Sequence, residues 1–557
     1  MKKILVSLCI VCNFVTSSFA HTPKPPVNAI ASASPFATHA GMEIFKRGGN
    51  AFDAAVAVAA ALAVVEPYNS GLGGGGFILF HDAKKNKTLL IDGREVAPGA
   101  ATADMYLDHH HRVVEGRSVS GALAAAIPGE PAAITYLGKQ YGRLPLILDI
   151  EPAIDYADNG FPVQTYYRNK AKERLSAIKA SPAAAHAYLM HGKVPPLGYL
   201  VYQPYLAQTL RALANQGRDG FYKGAVAKKL VRGVRQAGGL WTEKDLNDYH
   251  LVIREPLQGT YQGISFITAP PPSAGGIALI TMLNMLETFS LSSYSDVERK
   301  HLTIEAMRRA FWERGNYLGD PAFVDIPIDT LTNKEHGKLL ARSIDKHRAT
   351  PNTLLSHAPT AIEEGQHTTH FSVLDKEGNW VAATFSLNYA FGSGVMPKGT
   401  GVLLNNEMDD FSKKPGAPNI YGLLGSRANA IAPGKRPLSS MMPTVVDTQQ
   451  QLVILGTPGG SRIPTMMLLS VLGISQGDNL ATWIARPRYH HQYIPDVVEY
   501  EANAFTAKEK KVLQKMGYTL QRLSRPHGDM EAIVWNKQTG QVYVASDPRR
   551  DYRSQVN

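Results

Sequence analysis

The first place to look for chemistry is a threonine at a change of sequence character. From about position 350 the chain reads ATPNTLLSHAPTAIEEGQH, polar, proline-interrupted and without period, and at 369–375 and 380–388 it turns into THFSVLD and WVAATFSLN, joined at KEGN. Alternation at period two around a polar turn predicts a β-hairpin, and the preceding stretch predicts a flexible, exposed segment ending at His367. Thr368 stands at the junction and Ser386 on the opposite strand. Taken alone, Thr-Thr at a strand start is ordinary β-propensity and Ser386 a partly exposed strand serine.

Other candidates weaken in context. Gly71, Gly73 and Gly76 spell GxGxxG but precede a strand, whereas a dinucleotide loop follows one and opens a helix, so a tight structural turn is the better reading. His109 to His111 and His490 with His491 have no carboxylate at helical spacing and read as surface histidines. His367 and His370 leave opposite faces of a strand, which is no metal site. Glu407, Asp409 and Asp410 read in isolation as a solvated acidic turn, and Gly459 with Gly460 as a strand-to-helix turn.

The elements that must position these residues can be read in outline. The run AFDAAVAVAAALAVV is apolar on every face but one residue, which predicts a helix buried all round. Short strands are expected at 77–80 and 88–92, a mainly helical region at 122–313, and an amphipathic helix at 301–315. QLVILG at 451–456 predicts a buried strand leading into a helix at 463–474, and two strands at 532–536 and 541–546 close the pattern. Strands near both ends with helices between them suggest sheets covered by helices.

Composition bounds the function class. The 557 residues are 44% hydrophobic and 19% charged, enough to bury large cores. The formal charge of +11 is spread thinly, with no basic block or aromatic-interleaved stripe, so no nucleic-acid partner is expected. Residues 1–20, with Lys2 and Lys3 before an apolar run and small residues Ser18 and Ala20, read as a secretory signal. That apolar run is too short to span a bilayer, and Val11 before Cys12 argues against a lipid anchor, so no stable membrane anchor is expected. Cys9 and Cys12 both lie in the signal, leaving an exported chain of 21–557 without thiols, in a periplasm or outside the cell.

Several separated motifs then occur in one order: VEPYNSGLGGGGFILF, IDGREVAP, YLGDP, QHTTHFSVLDKEGNWVAATFSLN, GVLLNNEMDDFS, KRPLSSMMPT and GTPGGSR. In these the sequence resembles the γ-glutamyltransferases, members of the N-terminal-nucleophile hydrolases, over essentially the whole exported chain. The resemblance implies an α+β fold, a four-layer αββα sandwich, and a precursor that cuts itself before Thr368. The products would be a large subunit of 21–367 and a small one of 368–557, with no metal or organic cofactor. The cut would free an α-amine on Thr368, with a pKa of roughly 7.7 to 8.0 for a model group, to take the proton of its hydroxyl.

The same resemblance implies the other roles. Ser386 orients the nucleophile where many relatives have threonine, keeping the hydroxyl but losing the methyl. Gly459 and Gly460 offer backbone N–H groups as an oxyanion hole. Arg94, with Ser439 and Ser440, receives the substrate α-carboxylate, while Asn388, Glu407 and Asp410 receive its α-ammonium. Glu407 is glutamine in some bacterial relatives. The segment 415–435, with Tyr421, resembles a lid. The implied reaction moves a γ-glutamyl group from amides such as glutathione to water, amino acids or peptides. Two rivals stand beside it: an acylase of the same fold removing a glutaryl-type side chain, as in cephalosporin acylation chemistry, and an unprocessed exported protein that binds γ-glutamyl compounds. Asp410 argues against the first, because it would have no ammonium to meet.

Overall fold

The computed structural model describes residues 24–351, 367–550 and 555–556. The expected signal, both cysteines and most of the expected exposed segment lie outside them. Thirteen strands make two large antiparallel sheets. They are β1 (Ala29–Ser32), β2 (Gly75–Asp82), β3 (Lys87–Gly93), β4 (Val252–Arg254), β5 (Leu257–Tyr261), β6 (Ile264–Thr268), β7 (Thr368–Leu374), β8 (Trp380–Ser386), β9 (Thr444–Asp447), β10 (Gln451–Gly456), β11 (Glu531–Asn536), β12 (Val542–Ser546) and β13 (Gln555–Val556). The first sheet runs β13-β1-β7-β8-β2-β3-β4 and the second β12-β11-β10-β9-β6-β5.

Alternation decides which residues face which layer. In the first sheet Ile30, Ile78, Phe80, Val373 and Val381 join the core beneath α1 (Pro35–Lys46), α2 (Ala51–Val65) and α3 (Leu146–Asn159). Their neighbours Ala29, Phe77, Leu79, Leu374 and Ala382 point the other way, into a core shared with the second sheet. That second core continues to α4 (Gly275–Leu286), α5 (Asp296–Tyr317) and α6 (Ile463–Ser475). The order helix, sheet, sheet, helix is the expected α+β sandwich.

All fifteen residues of α2 are buried, as its composition predicts. Its start is fixed by Asn50, whose side chain accepts from Phe52 and Asp53 N–H groups while Asp53 returns a bond to Asn50 N–H, a reciprocal cap. The region 122–313 is mainly helical as expected, but β4, β5 and β6 also lie within it, and two of them belong to the second sheet. These strands are short, and β4 and β5 sit at sheet edges with half their residues solvated, so they carry little hydrophobic signal.

The helix expected to be amphipathic at 301–315 is α5, and its charged side is buried too. Glu305 pairs with Arg308 at 3.3 Å and Arg309 at 2.6 Å, and Tyr518 donates to it at 2.8 Å. Against the upward push of burial, these guanidinium groups hold Glu305 at a pKa of about 2. Charges that read as a wet face are paired inside the molecule. His490 and His491 likewise are buried rather than exposed, bonded to Thr465 and Gln492 and to Asp496. His109 to His111 are exposed as expected. No helix among the described residues is long and apolar enough to cross a membrane.

Candidate active site

Thr368 is the first residue of β7, in the middle of the first sheet, and its cross-strand partner on β8 is Ser386. The hydroxyls lie 3.3 Å apart. Ser386 Oγ accepts from Asn388 N–H at 2.8 Å and donates to the carbonyl of His367 at 2.8 Å. Its single proton therefore goes to the peptide bond just before Thr368, which leaves the Thr368 hydroxyl to donate toward Ser386. The next side chain, Thr369, points to the opposite face and donates to Glu66 at 3.0 Å.

His367 is fully buried, its ring 4.3 Å from that of Tyr389 in an edge-on contact. Burial first, then the charges of Lys170, Arg525 and Arg174, push its pKa well below the ordinary histidine value, so the ring is neutral. The expected exposed segment thus ends on a buried residue, because β7 enters the sheet immediately after it.

The glycines before β2 act mainly by letting backbones meet. A Cβ on Gly74 would lie 2.1 Å from the Ser386 carbonyl oxygen, so the strand end carrying Ser386 can settle only against a bare backbone. Across the pocket, Gly459 and Gly460 have φ of +148° and +56° and form the turn between β10 and α6. Arg462 anchors that turn by two bonds to buried Glu499, at 2.7 and 2.8 Å. A Cβ on Gly460 would stand 2.7 Å from the Tyr421 ring, so the ring lies flush on the turn.

One pocket is lined by Thr368, Ser386, Gly460, Arg94, Asn388, Glu407, Asp410, Tyr421, Ser439 and Ser440. Every sequence-predicted site residue except Gly459, next in the chain to Gly460, reaches this wall. Leu423, Met441, Ser461 and Ile463 complete it and were not singled out from the sequence. Glu407 and Asp410 lie on a short 3-10 turn with Asp409, and the acidic cluster is buried where isolated reading gave a solvated turn.

Arg94 is 1% exposed and is held by a ring of acceptors. Its Nη1 lies 2.9 Å from Glu407 and 3.3 Å from Glu95, its Nη2 2.7 Å from Asp410, and its Nε donates to the Pro437 carbonyl at 3.1 Å. The residues expected to read two different substrate groups are thus paired with each other. Glu95 was missed, although its place beside Arg94 in the GREVAP motif was a signal. Burial raises the pKa of Glu407 and Asp410, against the lowering pull of Arg94, and burial raises Glu95 to about 7. Arg94 faces all three carboxylates and buried Arg314 also acts on Asp410, yet burial still leaves each carboxylate easier to protonate than usual.

The lid folds back over this cluster. Tyr421 is buried and its hydroxyl donates to the Asn388 carbonyl at 2.6 Å, closing the pocket above the backbone of β8. Asn388 itself holds a left-handed backbone, φ +71°, and donates its side chain to the Asn406 carbonyl at 3.0 Å. Ile420 N–H bonds Asp409 at 2.8 Å, and Gln492 donates to the Tyr421 carbonyl at 2.8 Å.

This arrangement has hydroxyls and turn N–H groups at one end and a zwitterion-sized set of charges at the other. The γ-glutamyltranspeptidase family model matches residues 37–556. The glutathione hydrolase proenzyme of Escherichia coli (strain K12) is 40% identical over 534 residues, covering 95% of this chain and 91% of that one. Among solved structures, the cephalosporin acylase from Bacillus halodurans superposes with a TM-score of 0.83 at 26% identity over 99% of both chains. The γ-glutamyltranspeptidase of Helicobacter pylori gives 0.56 at 37% identity, covering 57% of this chain and 92% of that one. With a match running from the first helix to the last strand, this chain belongs to the γ-glutamyltranspeptidase family.

Proposed function

We propose that the chain is an exported, self-cut γ-glutamyltransferase and hydrolase acting on γ-glutamyl amides such as glutathione. The observation that carries this reading is the single pocket with Thr368 and Ser386 at one end and Arg94, Glu407 and Asp410 at the other. A γ-glutamyl group has an acyl carbon at one end and a free α-carboxylate and α-ammonium at the other, so it needs both ends at once.

Maturation starts at the His367 carbonyl, polarised by the Ser386 hydroxyl while the Thr368 hydroxyl attacks it. Collapse breaks the His367–Thr368 C–N bond and leaves an ester on the Thr368 oxygen with a free Thr368 amine, and water hydrolyses that ester to give subunits 21–367 and 368–557. In turnover that amine takes the hydroxyl proton and the oxygen adds to the γ-carbonyl. N–H groups of the 459–460 turn receive the developing oxyanion, and the amine of the leaving peptide departs with the proton. Water or an acceptor amine then repeats the addition on the γ-glutamyl-threonine ester. The substrate α-carboxylate takes the Arg94 fork with help from Ser439 and Ser440, and its ammonium supplies the positive charge that Glu407 and Asp410 lack. A glutaryl acylase, the rival reading, would leave those carboxylates unmet, and a γ-glutamyl-binding protein would have no use for a nucleophile.

Purified protein is expected to run as two bands on a denaturing gel, the smaller beginning Thr368-Thr369-His370 and the larger His21. Thr368→Ala should give one uncut band without turnover of a γ-glutamyl anilide. A wild-type chain that stays intact and fully active would overturn the mechanism.

A further inference from the structure

The lid meets the pocket through bonds of different character. Asn419, two residues before Tyr421, works in two directions: its Oδ1 accepts the N–H groups of Tyr421 and Leu423, both at 3.0 Å, and its Nδ2 donates to Asp410 Oδ1 at 3.2 Å. The other Asp410 oxygen takes Arg94 Nη2 at 2.7 Å. Closure of the loop has separate anchors, from Ile420 N–H to Asp409 at 2.8 Å and from the Tyr421 hydroxyl to Asn388 at 2.6 Å. The bond from Asn419 to Asp410 is therefore not what shuts the lid. It joins the lid to the carboxylate that the proposed function gives to the substrate ammonium.

We propose that Asn419 is a positioning residue for α-amine recognition, coupling the closed lid to Asp410 so that γ-glutamyl groups are held in preference to acyl groups without an α-amine. A carboxylate turns readily about its last side-chain bond, and two donors from different directions fix its plane. Asp410 Oδ1 keeps a second lone pair for an ammonium while Asn419 occupies the first. Arg94 must also serve the incoming α-carboxylate, so its hold on Asp410 weakens when substrate enters. Asn419 is then the donor that stays with Asp410, and it stays only while the lid is closed. Closed lid and bound ammonium stabilise each other through one oxygen atom.

The inference rests on the function proposed above, and the test separates the two. Full-length wild type, Asn419→Ala and Tyr421→Phe are compared on γ-glutamyl-p-nitroanilide and glutaryl-p-nitroanilide, after a gel shows equal cutting in all three. Asn419→Ala, which also frees the Tyr421 and Leu423 N–H groups, should lower glutaryl kcat/KM by no more than Tyr421→Phe does, and raise KM for the γ-glutamyl substrate about tenfold beyond that common loss, the size of one hydrogen bond to a charged group. Tyr421→Phe loosens the lid without touching Asp410 and should lower both substrates by a common factor. Equal losses on both substrates in Asn419→Ala, a loss carried by kcat, or no change would each overturn the coupling. Wild type inactive on the γ-glutamyl anilide would overturn the proposed function and this inference with it.

Discussion

The two ends of the pocket are built on different physical principles. Around Thr368 everything is neutral: two hydroxyls, a peptide carbonyl and the glycine turn, set on a central strand pair and on a turn anchored by Arg462 and Glu499. Around Arg94 almost everything is ionisable, with Glu95, Glu407 and Asp410 gathered on its guanidinium and Arg314 also acting on Asp410 under a lid. The reacting end needs exact placement of weak donors, since acyl transfer is accelerated by hydrogen bonds aimed where charge develops. The recognition end relies on buried carboxylates, whose charged forms are favoured by a partner that brings an ammonium and are otherwise relieved by taking up a proton. Damage at the first end should therefore stop chemistry for every acyl group, and damage at the second should change which acyl group is accepted.

Ser386→Ala is the severest test of the neutral end short of losing the nucleophile. The variant loses the donor to the His367 carbonyl, and removal of a comparable oxyanion donor costs roughly 10²- to 10³-fold in rate. Self-cutting, followed by the fraction of intact chain on a gel over time, should slow by about that much. Cutting at the wild-type rate would show that the hydroxyl is structural.

Asp410→Asn tests the charged end. Activity on γ-glutamyl amides should drop steeply while glutaryl amides, with no ammonium, lose little. The ratio of glutaryl to γ-glutamyl kcat/KM should rise about 10- to 150-fold, from charge-assisted bond energies of about 1.5 to 3 kcal/mol. Equal losses would make Asp410 structural and blur the contrast between the two ends. Arg94→Lys keeps the charge and loses the bidentate geometry, so kcat/KM should fall about tenfold with processing intact. Unchanged kinetics would place the α-carboxylate elsewhere.

A smaller effect sharpens the comparison through pH. Glu95 is raised to about 7, so it takes up a proton as pH falls through neutrality, while burial also raises Glu407 and Asp410 above their ordinary values. Protonation removes the excess negative charge that an ammonium relieves. KM for γ-glutamyl anilide should rise about threefold between about pH 7.5 and 6.5, the change in ionised fraction of one group titrating at about 7, and KM for a glutaryl anilide should not rise. A parallel rise for both would assign the titration to the neutral end.

How much was legible in the sequence follows the same division. The β7–β8 hairpin and α2 announce themselves because their periodicity is local, and Thr368, Ser386 and the 459–460 turn gain meaning from motifs around them. The ion pairs of Arg94 with Glu407 and Asp410 join residues more than 300 positions apart, and no local pattern reports such pairing. The charges of α5 pair partly with each other along the helix, but what buries them, Tyr518 on Glu305 and Asp496 on Arg308, comes from distant segments, as does Thr465 on His490, so they read as a solvated face and surface residues. Strands β4 and β5 were lost among helices because edge positions demand little hydrophobicity, and β6 because it is only five residues long.

The order of strands gives the proposed cut before Thr368 a consequence for assembly. In the first sheet β1 from before the cut lies between β13 and β7 from after it, and β8 from after it pairs with β2 from before it; in the second sheet β9 from after it lies against β6 from before it. Neither piece owns a complete sheet. A cut here severs a covalent link and leaves both ladders zipped, so the two pieces form one folding unit that was assembled while still tethered. Made separately, each would expose long unpaired strand edges to its own copies, and aggregation would compete with reunion. The tether is thus spent only after it has brought the strands into register.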